Sequence, residues 1–453
     1  MPGEDLAFFC ERGRCDAFSR KMARGILETL IPVRAFPTRA PASSIRIAVD
    51  GRGPGGGHML RGSPFHSRTL AACESWEWKA WSGYLAATSY SVVPYMEYYA
   101  IRHSAGLIDV SPLYKFHIRG KDAFALMNKV VTRDLRKFSK GQIVYTPWCD
   151  DRGKTVDDGT LWNFGDGSFR LTAGTPNLKW LEDNGTGMDV EVEDRSEELG
   201  ALSLQGPSSK AILRDAVGEA IDSLKFFRFM KMKVEGLPLE ISRTGYTGDL
   251  GYELWMERED AERLWDAIME HGAKYDLQPA GQAAMDICRI EGGLILGGVD
   301  YGHAHHALID AQRYSPFELS LDWAVAMGKG PFVGRRALAE ELRQGVPRRI
   351  VGIEIDWTVA SRFFTDMGLP PTPPSDPWGS KMPIYSGGRQ VGWGTSGCWS
   401  PTLKKYIGLA TVRTPYARLG TPLEIEIEVE WQRRRAPARV VERPFYDPPH
   451  RKA

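Results

Sequence analysis

The segment Arg243-Thr244-Gly245-Tyr246-Thr247-Gly248-Asp249-Leu250-Gly251-Tyr252-Glu253-Leu254 constrains this chain more than any other. Its glycines permit tight turns and a close backbone approach to a ligand. The residues after them, Tyr252-Glu253-Leu254-Trp255-Met256, read as the start of a strand. Glu253 then stands at the mouth of that strand beside aromatic rings. A carboxylate so placed suits a flat heterocycle with N–H donors: the ring stacks, and the carboxylate accepts paired hydrogen bonds. The same residues also read as a glycine hairpin carrying a solvated glutamate.

At 453 residues the chain is long enough for two to four domains. Hydrophobic residues make up 42% and charged residues 25%, the balance of a globular protein. The net charge of +1 gives no electrostatic footprint for nucleic acid. No apolar run reaches the roughly 18 residues of a membrane span, so no membrane partner is expected. The cysteines, Cys10, Cys15, Cys73, Cys149, Cys288 and Cys398, are scattered without a CxxC pair. That pattern points to a reducing compartment, and the expected location is cytoplasmic.

Three regions differ in texture. Residues 1–58 carry scattered arginines, prolines and the run Gly51-Arg52-Gly53-Pro54-Gly55-Gly56-Gly57. They read as a disordered extension, or as a mis-started one with Met59 as the natural beginning. Acidic residues such as Glu4, Glu11 and Glu28 argue against a transit peptide. Residues 59–345 read as α+β. Helices are predicted over 94–105, 122–131 and 260–275, and strands over 107–110, 114–119 and 168–172. The strands 143–148 and 155–162 are joined by the turn Asp150-Asp151-Arg152-Gly153-Lys154. Residues 346–453 alternate short strands with glycine and proline, the pattern of a small β-barrel. Within the paired strands, Asp157 and Asp158 project to opposite faces, so one of them at most lines a pocket. Taken alone, the pair also reads as a surface strand with solvated acids.

Several ordered motifs then combine. They are Tyr99-Ala100-Ile101-Arg102, Gly106-Leu107-Ile108-Asp109-Val110-Ser111, Gly141-Gln142 with Tyr145, and Gly153-Lys154-Thr155-Val156-Asp157-Asp158. Leu204-Gln205-Gly206-Pro207, the 244–253 stretch, Arg289-Ile290-Glu291 and Thr395-Ser396-Gly397 follow. From about Met59 onward the chain resembles the glycine cleavage T-protein family of aminomethyltransferases and folate-dependent demethylases. The resemblance implies three subdomains around a central folate-binding cavity, the third being a β-barrel. It implies a transferase that moves a methyl or aminomethyl group to tetrahydrofolate. The donor would be a small methylated molecule or a lipoyl carrier protein.

By the same resemblance Asp158 is the catalytic carboxylate. Tyr246 and Glu253 bind the pterin, Tyr145 and Trp162 line the folate cavity, and Leu113 lies at a further folate-side position. Trp162 stands where the family usually has Tyr. The family's His-Met after Asp-Val-Ser is Pro112-Leu113 here, and its Arg four residues before Arg289 is Met285. The second change removes a charge and five donors. Both favour a small methyl donor. Arg289 reads as a structural partner of Glu291. The cluster His303, His305 and His306 falls in an apparent loop insertion, without a carboxylate or cysteine at a supporting position. The alternative to an enzyme is a non-catalytic folate-binding protein of the same fold. The Lys-Gly-Cys-Tyr signature of relatives in iron–sulfur assembly is absent, and no Gly-x-Gly-x-x-Gly fingerprint marks a flavin domain.

Overall fold

The computed structural model describes residues 60–374 and 376–452. The expectations for residues 1–58, including Cys10, Cys15 and the glycine run, lie outside the described residues.

Two sheets carry Asp158 and Glu253. Six strands form the first, in the order Phe229–Val234, Leu237–Ser242, Gly251–Glu257, Leu199–Gln205, Gly106–Asp109 and Gln278–Pro279. Five antiparallel strands form the second, in the order Ile143–Cys149, Thr155–Asn163, Phe169–Ala173, Tyr114–Arg119 and Glu191–Asp194. The strands Arg348–Ile355, Lys405–Arg413, Arg389–Ser400, Met382–Ser386, Pro422–Val429 and Gln432–Val441 close into a barrel. The α+β class and the C-terminal barrel are therefore as the sequence predicts.

Local chemistry explains the predicted hairpin. Lys154 N donates to Asp150 Oδ1 at 2.8 Å, and Gly153 N donates to the Asp150 carbonyl at 3.0 Å. The turn closes Ile143–Cys149 onto Thr155–Asn163, with Trp148 opposite Asp157 and Pro147 opposite Asp158. Two barrel elements escape the sequence pattern. The strand Gln432–Val441 turns Ala436, Ala438 and Val440 inward and its arginines mostly outward, so its apolar signal is weak. The helix Trp357–Thr365 sits against one side of the barrel core through Ala360 and Phe363, and Asp356 caps it by accepting from Val359 N at 3.2 Å.

Buried charge joins two helices, the glycine loop and the barrel. On the helix Tyr95–His103, Arg102 donates to Glu291 Oε2 through Nε at 2.9 Å and Nη2 at 2.6 Å. Its Nη1 reaches Asp249 Oδ2 at 3.1 Å, and its guanidinium lies 4.4 Å from the Tyr446 ring centre. Glu291 ends the helix Gln282–Glu291 and also accepts from Tyr98 at 2.6 Å and from Ser400 of the barrel. One carboxylate thus ties the N-terminal helix and the barrel together, and Arg102 extends the link to the loop 244–250. Gly248 in that loop has a φ of +71°, and a Cβ there would come within 2.9 Å of the Gly292 Cα. Only glycine lets the loop lie this close to the helix end.

Arg102 and Glu291 are both buried side chains. Removing one partner strands the other charge, which typically costs about 3–5 kcal/mol. We therefore expect Glu291→Ala to lose roughly that much in urea unfolding followed by circular dichroism. The paired replacement Arg102→Met with Glu291→Leu should cost less than Glu291→Ala alone. A Glu291→Ala loss below about 1 kcal/mol would show that the clamp is dispensable.

Candidate active site

Asp157 and Asp158 separate as strand geometry requires. Asp157 turns into the interior, where Thr175 N, Thr175 Oγ1 and Asn177 Nδ2 donate to its Oδ2 at 2.9, 2.6 and 3.0 Å. Its Oδ1 accepts from the Asp158 amide at 2.9 Å. With every oxygen committed, Asp157 is a structural carboxylate that shapes the loop after Phe169–Ala173. Neither acid is a solvated surface residue.

Asp158 faces the other way and meets two phenols. Tyr145 Oη donates to Oδ2 at 2.8 Å, and Tyr301 Oη donates to Oδ1. Burial and then the neighbouring Asp157 push the Asp158 carboxyl up to about 6, against the opposing pull of Tyr301, Tyr145 and His303. Its side chain still keeps part of its surface open, while the packed mass around it withholds water. Burial and the Asp158 charge drive both phenols upward, so they stay protonated donors across the neutral range. The result is a carboxylate poised to take or release one proton near neutral pH, held in orientation from both oxygens.

Tyr145 and Tyr246 join this cluster. Tyr145 stacks on Trp323 with ring centres 5.7 Å apart. Tyr246 donates its hydroxyl to the Ile295 carbonyl, leaving its partly exposed ring as the available surface. Burial raises the Tyr246 phenol; the Arg289 charge opposes that rise, and Asp158 and Asp300 add to it.

Glu253 has a separate set of partners. It pairs across the sheet with Ser203 and Ser242 and accepts from Thr244 Oγ1 at 2.8 Å. Burial raises its carboxyl, and Thr244, Trp255 and Ser242 oppose that rise. The Trp255 Nε1 lies close enough to help hold this charge, yet it is buried without a hydrogen bond of good geometry. Leu113 packs partly buried on the same apolar cluster as Trp162 and Trp255. Trp162 is fully buried between Phe229, at 4.8 Å, and Trp255, at 5.5 Å. It stands behind the site on the strand face that carries Asp158, with no surface of its own exposed.

Arg289 does not pair with Glu291. Successive helical side chains diverge by about 100°, so the two residues, two positions apart, look to different bodies. Arg289 donates to Asp286 at 2.5 Å, Asp300 at 2.6 Å and Ser396 at 3.1 Å. Asp300 also accepts from Thr395 at 2.5 Å and Ser396 at 2.7 Å of the barrel. Met285 is partly buried in the apolar cluster around Trp162. The apparent insertion is not a free loop either. Ala304 N donates to the Thr155 carbonyl at 2.8 Å, so the segment lies along the strand that bears Asp158. Tyr301 is invisible to sequence reasoning because it lies 143 residues from its carboxylate, with no local motif to mark it.

Comparison with known proteins agrees with this architecture. The family model described as GCVT N-terminal domain matches residues 70–329. The one described as glycine cleavage T-protein C-terminal barrel domain matches residues 367–447. An aminomethyltransferase of Caldanaerobacter subterraneus is 33% identical over 361 residues, covering 79% of this chain and 88% of that protein. One from Bacillus cereus is 35% identical over 356 residues, covering 77% and 89%. The crystal structure of the glycine cleavage system aminomethyltransferase T from Bartonella henselae superposes with a TM-score of 0.73 at 24% identity, covering 86% of this chain and 98% of that one. That last likeness establishes the shared fold. On its sequence and on both of its domains, the chain belongs to the glycine cleavage T-protein family of aminomethyltransferases.

Proposed function

We propose that this protein is a tetrahydrofolate-dependent one-carbon transferase in which Asp158 handles the proton and the Tyr246–Glu253 segment receives the pterin. The observation that carries the reading is Asp158 itself, a desolvated carboxylate gripped by two phenols. The residues present fit a folate. Glu253 keeps part of its surface exposed and can accept from an amino group and a ring N–H, and the rings of Tyr145 and Tyr246 offer flat surfaces. Leu113 would add an apolar contact, and Trp162 would back the site from the core. When bound, tetrahydrofolate supplies the nitrogen that forms the new N–C bond as the donor's carbon–heteroatom bond breaks, the electron pair leaves with the heteroatom, and the nitrogen's proton is released. Asp158 accepts that proton, and Tyr145 and Tyr301 hold its oxygens in place. Much of the rate would come from holding two reactants in line.

Two donors compete on specific grounds. The aminomethyltransferase relatives favour a group carried on a lipoyl carrier protein. Pro112 and the apolar setting of Met285 favour a small methylated sulfonium, betaine or amine. Among the described residues no helix is long and apolar enough to cross a membrane. The scattered cysteines support the cytoplasm as the location of the reaction.

Isothermal titration of tetrahydrofolate should give micromolar binding, weakened about 10- to 100-fold in Glu253→Ala, as expected for a lost charged hydrogen-bond pair. A well-folded wild type that binds no folate would overturn the reading. Supplying each donor class in turn, and reading methyl- against methylene-folate, decides between the two donors. Binding without turnover on either would move the protein to the non-catalytic folate-binding alternative.

The Asp158 carboxyl lies above its unfolded value, so the folded state holds the extra proton between about pH 4 and 6 and is penalised for ionisation above that window. Asp158→Asn removes this penalty. It should stabilise the protein more at pH 8 than at pH 5, by about 1 kcal/mol, while abolishing folate-dependent turnover. Thermal melts at the two pH values read the first effect; equal shifts would show that Asp158 is not perturbed.

A further inference from the structure

We infer that Tyr301 and His303 form a proton route connecting Asp158 with solvent, so that His303 serves proton exchange at the active carboxylate. The inference takes its purpose from the one-carbon-transfer reading; the route itself is a property of the folded chain.

The contacts run in one direction. Tyr301 Oη donates to Asp158 Oδ1. Two residues on, the His303 ring lies 5.3 Å from the Tyr301 ring. His303 Nδ1 faces the Val156 carbonyl at 3.0 Å. A carbonyl only accepts, so Nδ1 carries the hydrogen of the neutral ring and Nε2 is left as a bare acceptor. That acceptor and the Tyr301 hydroxyl border the same spot. A Cβ built on Gly297 would lie 2.7 Å from His303 Nε2 and 3.3 Å from Tyr301 Oη. The two polar atoms are therefore no farther apart than the sum of those distances, a gap of one water at most. Any side chain at position 297 would crowd His303, so glycine keeps the passage available. His303 is buried, but the His306 ring lies 6.0 Å beyond it and is exposed.

The transfer balances. Protonated Asp158 gives its proton to Tyr301 Oη while the phenol passes its own to His303 Nε2. The carboxylate is restored, the phenol stays neutral, and His303 becomes an imidazolium. Asp157 Oδ1, 3.5 Å from Nδ1, steadies that charge until the imidazolium gives its Nε2 proton to solvent and returns to the neutral Nδ1–H ring. The groups facing Asp158 are Asp157 on its own strand, Tyr145 on the neighbouring strand, Tyr246 from the loop 244–250, and Tyr301 and His303. Those facing His303 are Asp157, Tyr301 and His306. The route thus joins the two carboxylates through a single phenol and a single imidazole, a use for His303 that requires no metal.

The test is nitrogen NMR on the full chain labelled with 15N-histidine, without folate, from pH 5 to 8. The His303 signals are assigned by their loss in His303→Gln. The expected result is an Nδ1–H tautomer whose Nε2 shift changes as Asp158 titrates. Tyr301→Phe should abolish that change, and Asp158→Asn, which removes the titrating carboxyl, should abolish it too. An Nε2–H tautomer, or identical His303 titrations in all three proteins, would overturn the route. Tetrahydrofolate titration of the wild type runs in parallel. Failure of wild type to bind folate would remove the functional reading, while the NMR titrations would still decide whether the route exists.

Discussion

The Arg102–Glu291 ion pair is the interaction on which the rest of the structure depends. Its two charges are removed from water, so each is tolerable only with the other in place. Their remaining partners come from different bodies: Asp249 from the glycine loop, Ser400 from the barrel, and Tyr98 from the N-terminal helix. Satisfying this pair therefore fixes the helices Tyr95–His103 and Gln282–Glu291, the glycine loop and the barrel against one another. Arg289 and Asp300 repeat the device one helical step away, with Thr395 and Ser396 as the barrel's contribution. Hydrophobic packing alone is non-directional and tolerates sliding; charged hydrogen bonds of defined geometry do not.

The site inherits that rigidity. Asp158 belongs to the five-stranded sheet, Glu253 to the six-stranded sheet, Tyr246 to the loop that Asp249 anchors, and Tyr301 to the segment that Asp300 anchors. Desolvation and the nearby Asp157 raise Asp158, and the phenols moderate that rise while orienting it. A carboxylate in water would stay ionised and idle as an acid; here burial and Asp157 raise the carboxyl to about 6. Glu253 is supported by hydroxyls in place of phenols.

Much of this is legible in the chain alone, for identifiable reasons. Alternation marks the strand Tyr114–Arg119 to the residue, and the Asp150–Lys154 turn marks the hairpin that presents Asp158. The β-barrel shows itself through short strands spaced by glycine and proline. The strand Gln432–Val441 stays hidden because small alanines suffice to fill its inward face. Arg289 and Glu291 look like natural partners in a linear reading, since adjacency along the chain suggests contact. On a helix their spacing sends them to different neighbours, and each finds its counter-charge far away.

By itself, then, the sequence determined the α+β class, the terminal barrel, the split of Asp157 and Asp158 to opposite faces, and the family. All of these follow from local periodicity, turn chemistry and ordered motifs. Tertiary structure alone decided which charges pair, that Trp162 is core, and that Tyr301 and His303 stand beside Asp158. Those choices depend on long-range burial, where a group's partner is whatever the closed fold brings within hydrogen-bond reach. No stretch of neighbouring residues encodes such a contact, because the desolvation that gives it meaning arises only when the separate bodies meet.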